Sequence, residues 1–173
     1  MKAGNKVIQY AIYDRTGGKP EFICDTSSVK RPSLEPMTET MKGAGIMGEI
    51  DLPTITQIGA LEYEISFKRV NKKAVSMFGQ ETQHLELRWV TDVLDTTNAK
   101  IGTCANKDII KAIPKKLDLG SVEGNAANEG TVTLEILYFK HIQDGETLIE
   151  IDKLNNVLII NGKDYAKEIR EAL

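Results

Sequence analysis

Residues 131–152 read TVTLEILYFKHIQDGETLIEID, and this stretch decides the fold of the chain. Two runs rich in β-branched, aromatic and aliphatic side chains flank the dipeptide Asp144-Gly145. Such a dipeptide is a strong local signal for a β-hairpin, because Asp and Gly tolerate the positive φ angles of a type I′ turn. The sequence therefore predicts a hairpin whose first strand, residues 131–143, is unusually long at about 43 Å.

The two-residue turn also predicts the register of the hairpin. The expected cross-strand pairs are Ile142 with Thr147, Lys140 with Ile149, Phe139 with Glu150 and Tyr138 with Ile151. One face is then expected to pack in the core: Ile136, Tyr138, Ile142, Ile149 and Ile151. The other face mixes apolar and charged side chains, and its candidates for a subunit interface are Leu137, Phe139, His141, Leu148 and Glu150. The alternative to a hairpin that forms a subunit interface is an ordinary twisted hairpin in a barrel.

The composition is typical of a soluble globular protein, with 173 residues, 41% hydrophobic and 27% charged. The net charge of −3 and the scattered Lys and Arg residues lack the basic patch of a tight nucleic-acid binder. The length favours one domain, residues 1–173. The first residues lack the apolar segment of a signal peptide, and no run resembles a membrane span. We therefore expect synthesis in the cytoplasm.

Residues suited to metal binding or nucleophilic catalysis are sparse. Cys24 and Cys104 form no CxxC pair, and their redox state stays open. His84 and His141 are the only histidines, which disfavours a metal site or a catalytic triad. We expect no cofactor and no metal.

One pair of carboxylates has a spacing that an enzyme could use. Glu62 and Glu64 lie on one face of a predicted strand, about 6.6 Å apart. This spacing overlaps that of glycosidase carboxylates, but glutamates in such an arrangement are usually the solvated face of a sheet. The sequence therefore favours a structural or binding protein over an enzyme.

The rest of the chain is predicted to be nearly all β. Strands are predicted at residues 7–13, 21–24, 37–41, 61–70, 84–93, 100–119 and 157–160, and helices at 72–78 and 165–173. Asn71 is the predicted N-cap of the first helix. Its Ala74, Val75 and Phe78 are expected to seal one end of the fold. This pattern predicts a sandwich or a barrel.

A glycine-rich segment, residues 42–48 (KGAGIMG), interrupts this pattern. It lacks the Lys-Ser/Thr ending of a phosphate-binding loop. We expect a mobile loop that exposes Ile46, Met47 and the nearby Ile50. Exposed apolar side chains on a loop indicate that a partner covers them.

Three parts of the sequence resemble the major tail tube protein of contractile phage tails and of the related R-type bacteriocins: residues 42–48, 61–79 and 139–173. The last part has the characteristic ending of that family, with a DGE hairpin, an IDxLN segment, an NGxD turn and a closing helix. The resemblance covers most of the chain in order, from residue 5 to the C-terminus.

The resemblance implies two packed antiparallel sheets with a flanking helix. Six copies would form a ring whose inner strands close into one β-barrel, and rings would stack helically into a tube. A contractile sheath would surround the tube, with baseplate or initiator and terminator proteins at its ends. In a phage, DNA would pass through as transient cargo; in a bacteriocin, the tube would pierce the target envelope. The mature location would be a virion tail or a phage-tail-like particle.

The resemblance also suggests roles for particular residues. Candidates for ring stacking are Gly43, Gly45, Ile46, Met47 and Ile50. Candidates for the lumen are Glu62, Glu64, Glu86 and Glu135, since an acidic lumen would repel phosphates.

Other functions stay open at this point. They are a free-standing β-sandwich binding module, a small-barrel enzyme using Glu62 and Glu64, and the tube subunit of a related secretion apparatus. Rings and tubes in solution would separate the tube proteins from the other two classes. The sequence does not separate a phage tube from a bacteriocin tube.

Overall fold

The computed structural model describes residues 1–4 and 6–173. The strands are β1 (Lys2–Ala3), β2 (Val7–Asp14), β3 (Glu21–Phe22), β4 (Thr26–Lys30), β5 (Pro36–Met41), β6 (Ile50–Ile58), β7 (Glu62–Phe67), β8 (Gln83–Asp95), β9 (Lys100–Asp118), β10 (Gly130–Gln143), β11 (Glu146–Asp152), β12 (Val157–Ile160) and β13 (Lys163–Asp164). The helices are α1 (Lys72–Ser76) and α2 (Lys167–Ala172). Neither described helix is long and apolar enough to span a membrane.

Most strands belong to one large antiparallel sheet. Its order is β13-β12-β11-β10-β9-β8-β2-β3, with β1 beside β8 and with β4 and β7 joined to β10. Strands β5 and β6 form a separate two-stranded sheet. We call this hairpin, residues 36–58, the arm. The prediction of a mainly β, antiparallel fold with two short helices is confirmed.

Strand β10 is shared by three neighbours. On one side β9 pairs with residues 131–143. On the other side β7 pairs with residues 130–135, and β11 pairs with residues 138–143. At the changeover, the Ile136 amide donates to the Leu61 carbonyl at 2.8 Å, and the Lys153 amide donates to the Leu137 carbonyl at 3.1 Å. The backbone of β10 thus stays hydrogen-bonded where its partner changes.

The β10–β11 hairpin has the predicted turn but a shifted register. Asp144 and Gly145 take φ angles of 46° and 87°, as a type I′ turn requires. Ile142 pairs with Thr147 as predicted, and the register then shifts at a β-bulge. The observed pairs beyond it are His141–Ile149, Lys140–Glu150, Phe139–Ile151 and Tyr138–Asp152. The predicted pairs Lys140–Ile149, Phe139–Glu150 and Tyr138–Ile151 are wrong, because turn length does not reveal a bulge.

The shifted register changes which side chains reach the core. Phe139 and Ile151 are only 2% and 3% exposed and pack in the core, whereas Tyr138 is half-buried. A second irregularity lies in β10 between Ile136 and Tyr138, on the side that pairs with β9. It brings Phe139 to the side of the sheet on which Ile136 is buried. The predicted sorting of Tyr138 and Phe139 between the two faces is therefore reversed.

The large sheet curls around one hydrophobic core into an incompletely closed barrel. Core side chains from five strands include Ile12, Tyr63, Ile65, Phe67, Leu85, Leu87, Ile110, Leu134 and Ile136. Strands β2 and β4 meet at the seam without pairing as strands. There the Tyr10 hydroxyl donates to the Thr26 hydroxyl at 3.2 Å, and the Ile23 amide donates to the Ile12 carbonyl at 2.9 Å.

Helix α1 closes one end of the barrel but not with the side chains predicted. The Asn71 side chain accepts a hydrogen bond from the Ala74 amide at 2.9 Å, which confirms the N-cap. Ala74 and Met77 are buried, whereas Val75 and Phe78 are 50% and 38% exposed. Residues three apart share one face of a helix, so Met77 follows Ala74 into the core.

The arm corrects the prediction of a loop reaching Ile50. Ile50 is the first residue of β6 and pairs with Met41. The sequence pattern missed this strand because Pro53 interrupts it. Pro53 is tolerated because β6 is an edge strand that pairs only with β5 among the described residues.

Replacement of Phe139 tests the corrected faces. We expect Phe139→Ala to lower the free energy of unfolding by about 3–5 kcal/mol, because it leaves a cavity in the core. The matched variant Leu137→Ala, at a half-buried position, should cost clearly less. Urea unfolding followed by circular dichroism measures both. Equal losses for the two variants would contradict this assignment of the faces.

Candidate assembly surfaces

The tip of the arm carries the predicted ring-stacking residues. Gly45 has a φ of 91°, in the left-handed region that favours glycine. The Gly43 carbonyl accepts a hydrogen bond from the Ile46 amide at 3.1 Å, which forms a tight turn. Met47 is 102% exposed, Ile50 is 50% exposed and Ile46 is half-buried. The structure thus brings the five predicted residues together at the end of the arm.

One face of the arm is apolar and lacks a covering layer within the described residues. Met41 lies opposite Ile50, and Glu39 lies opposite Leu52. The three apolar side chains are 46%, 50% and 50% exposed. A lone two-stranded hairpin is only marginally stable in water. Exposed apolar side chains in such an element indicate that a partner covers them.

Three of the four predicted lumen glutamates lie together on the outer face of the sheet. Glu135 on β10 is directly opposite Glu62 on β7, and Thr133 is opposite Glu64. The sequence predicted these carboxylates on one polar face. It gave no indication of the cations that accompany them.

Each of these three glutamates has a lysine beside it. Glu62 accepts a hydrogen bond from Lys115, and this lowers the pKa of the Glu62 carboxyl. The Lys30 ammonium lies 3.7 Å from Glu64, and the Lys153 ammonium lies 3.4 Å from Glu135. The face is therefore polar with paired charges rather than strongly acidic.

The fourth lumen candidate, Glu86, lies in a different place. It is fully buried, and both Arg15 and Arg88 donate hydrogen bonds to its carboxylate. Burial raises the pKa of the Glu86 carboxyl, but the two arginines outweigh it and hold the pKa below its ordinary value. The alternation of side chains along β8 predicts that Glu86 is exposed. This prediction is wrong because the sequence pattern does not show that Arg15 covers Glu86.

The interface candidates of the hairpin separate into two groups. Leu137, Leu148 and Glu150 are half-buried and have surface left for a neighbour. Phe139 belongs to the core, and His141 contacts a buried carboxylate within the chain. The irregularity between Ile136 and Tyr138 is the reason, because it turns both side chains inward.

An ion cluster around a buried carboxylate joins the barrel to the segment before the arm. Asp108 is 0% exposed and accepts two hydrogen bonds from Arg31, at 2.6 and 3.0 Å. The His141 ring nitrogen Nδ1 lies 2.8 Å from the same carboxylate. The Arg31 guanidinium lies over the Trp89 ring at 4.6 Å, and Trp89 stacks on His141 at 5.6 Å. Sequence reasoning missed this cluster, whose members are distant along the chain.

The described residues include no group of three or more His, Cys, Asp or Glu side chains arranged to hold a metal. Cys24 is exposed and Cys104 is buried, and both are free thiols.

Comparison with known proteins identifies the family. The family model described as phage tail tube protein FII matches residues 16–173. The chain belongs to this family. Its role is that of a tail tube subunit. No curated protein matches the chain in sequence.

Three solved structures of injection-particle proteins are similar to this chain, and one of them shares its fold. A chain of the PVC sheath–tube complex, an extracellular contractile injection system in its extended state, has a TM-score of 0.53 at 12% identity, covering 82% of this chain and 91% of that chain. The PVC sheath/tube terminator has a TM-score of 0.49 at 13% identity, covering 80% and 95%. The anti-feeding prophage baseplate has a TM-score of 0.44 at 15% identity, covering 77% and 90%.

In this tail tube protein the ion cluster has a testable energetic role. We expect Arg31→Met to lower the free energy of unfolding by about 1.5–3 kcal/mol, because it removes two charged hydrogen bonds and leaves the buried Asp108 carboxylate with His141 as its remaining partner. The double variant Arg31→Met/Asp108→Asn should recover part of this loss. As a control, Arg69→Met removes an exposed pair with Asp25 and should cost less than about 1 kcal/mol.

Denaturant unfolding of the four proteins measures these differences. Equal losses for the Arg31 and Arg69 variants would show that the cluster does not stabilise the chain.

Proposed function

We propose that six copies of the chain form a ring and that rings stack helically into the hollow tube of a contractile particle. The observation that carries this proposal is the arm, whose apolar face and tip have no covering layer in the described chain. A tube subunit needs such a surface, because each ring must be held to the next. The shared fold with a chain of a sheath–tube complex supports the same conclusion.

The sheet also offers edges for ring closure. Strand β13 stands at one end of the sheet order and pairs only with β12 among the described residues, so its other edge has unpaired backbone groups. Open edges invite pairing with other chains, and a closed ring removes them. Half-buried Leu137, Leu148 and Glu150 supply side-chain surface for a neighbour in the ring.

The polar face with Glu62, Glu64 and Glu135 lines the lumen in this proposal. DNA binds to proteins largely through cations that replace its counterions. On this face the ammonium groups of Lys30, Lys115 and Lys153 lie beside carboxylates. A surface of paired charges holds phosphates weakly, so a polyanion can move along it.

The partners of such a tube follow from its place in the particle. A sheath protein surrounds it, and baseplate or initiator and terminator proteins contact its ends. In a phage tail the tube conducts DNA as transient cargo. In a bacteriocin or an extracellular injection system it enters the target envelope on contraction. The mature protein lies in the tail or tail-like particle, and its task is structural rather than enzymatic.

The tip of the arm is testable through stacking. We expect the double variant Ile46→Ser/Met47→Ser to form rings but few tubes, because it removes the apolar surface between rings. A control pair, Val122→Ser/Leu154→Ser, alters side chains that are 88% and 73% exposed outside the arm and should assemble normally. Negative-stain electron microscopy over a concentration series gives the readout.

Normal tubes from the Ile46/Met47 variant would exclude the tip as the contact between rings. If the unaltered protein forms neither rings nor tubes, alone or with its initiator complex, the proposed function is wrong.

The lumen assignment is testable through transport. We expect Glu62→Gln/Glu64→Gln to leave assembly intact, because both side chains face outward from the barrel. The variant frees Lys30 and Lys115, so it should slow DNA ejection or shift the ion selectivity of the tube towards anions. Loss of assembly instead would show that these groups belong to an interface.

A further inference from the structure

The outer face of the sheet carries a groove of about 700 Å³ at the end of β10, and none of its lining residues belongs to the polar face. Its lining comes from β2, β8, β9 and β10 and includes Ala11, Arg88, Val90, Ala105, Lys107 and Ile142. None of these residues belongs to the hydrophobic core cluster. The tail tube role described above does not use this groove.

The groove arises from two rows of cross-strand neighbours. The first row runs Ala11, Arg88, Lys107 and Ile142, and the second includes Val90 and Ala105. The alanines are short and form the floor. Val90 and Ile142 form apolar walls, and the aliphatic stems of Arg88 and Lys107 extend them.

The charges in the groove are both positive. Arg88 lies directly opposite Lys107. Like charges in directly opposed positions destabilise a sheet, unless an anion lies between or above them. Arg88 already has the Glu86 carboxylate as its partner, whereas Lys107 forms no ion pair among the described residues, and the groove lining contains no carboxylate side chain.

The arm has the complementary chemistry. Its uncovered face combines Met41, Ile50 and Leu52 with one carboxylate, Glu39. The other charges of the arm have partners, since Lys42 lies 3.6 Å from Glu49 and Thr40 donates to Asp51 at 2.7 Å. An apolar strip with a carboxylate fits an apolar groove with two cations.

We propose that the groove of one copy receives the arm of a second copy. Glu39 then lies at Lys107 and Arg88, and Leu52 packs between the apolar walls of Val90 and Ile142. Within its own chain the arm pairs with no other strand of the described residues, so both surfaces are exposed together. Such a contact joins two different patches and therefore propagates from copy to copy. The inference rests on the proposed function, because it names the surfaces that the assembly uses.

A charge swap tests the pairing directly. Lys107→Glu and Glu39→Lys should each raise the critical concentration for assembly at least about tenfold. The double variant restores opposite charges and should return to within a few-fold of the unaltered protein. Lys72→Glu changes an exposed lysine on α1 and serves as the matched control. Sedimentation gives the critical concentration, and urea unfolding confirms that each variant is folded.

The outcomes distinguish the groove from the function. If the unaltered protein assembles but the double variant shows no rescue, the pairing of arm and groove is wrong and the tube function stands. Lys107→Glu could instead weaken binding of duplex DNA or of the sheath protein while self-assembly is unchanged. The groove would then have another occupant, so the pairing of arm and groove would be wrong and the tube function would stand. If the unaltered protein forms no rings or tubes, both proposals fail.

Discussion

The backbone of β10 needs hydrogen-bond partners on both sides along its length, and this requirement shapes the molecule. One side is satisfied by β9 alone. The other side changes from β7 to β11 around Ile136 and Leu137, where amide and carbonyl groups remain bonded to Leu61 and Lys153. This change divides the sheet into a part that closes the barrel and a part that extends away from it. The polar face proposed to line the lumen and the groove proposed to receive the arm both lie along this one strand.

The buried Asp108 carboxylate places a second constraint on the fold. Burial of a charge is costly, and the cost is offset only with its partners in place. Those partners are Arg31, which follows β4, and His141, which belongs to β10. Arg31 lies five residues before the arm, and its guanidinium lies over the Trp89 ring, so the cluster anchors the segment that leads into the arm. The cluster thereby connects the core to the segment before the proposed assembly surface.

The sequence was sufficient for most of the elements and for the family, but not for the positions of several side chains proposed for the interface and the lumen. The turn at Asp144 and Gly145, the alternation of β7 and the cap at Asn71 depend on neighbouring residues, so local patterns predicted them. The bulge that turns Phe139 inward and the burial of Glu86 depend on strands distant in sequence. Local periodicity carries no information about such contacts, which is why these two residues were assigned to a surface.

Cryo-electron microscopy of the assembled particle, at a resolution that shows side chains, tests the central claim most directly. The account predicts six-fold rings in a hollow tube, with the apolar face of each arm covered by another copy. It also predicts that the face with Glu62, Glu64 and Glu135 borders the channel. Rings or tubes in which the arms extend freely into solvent would contradict it, because the exposed apolar face of the arm would then have no role in assembly.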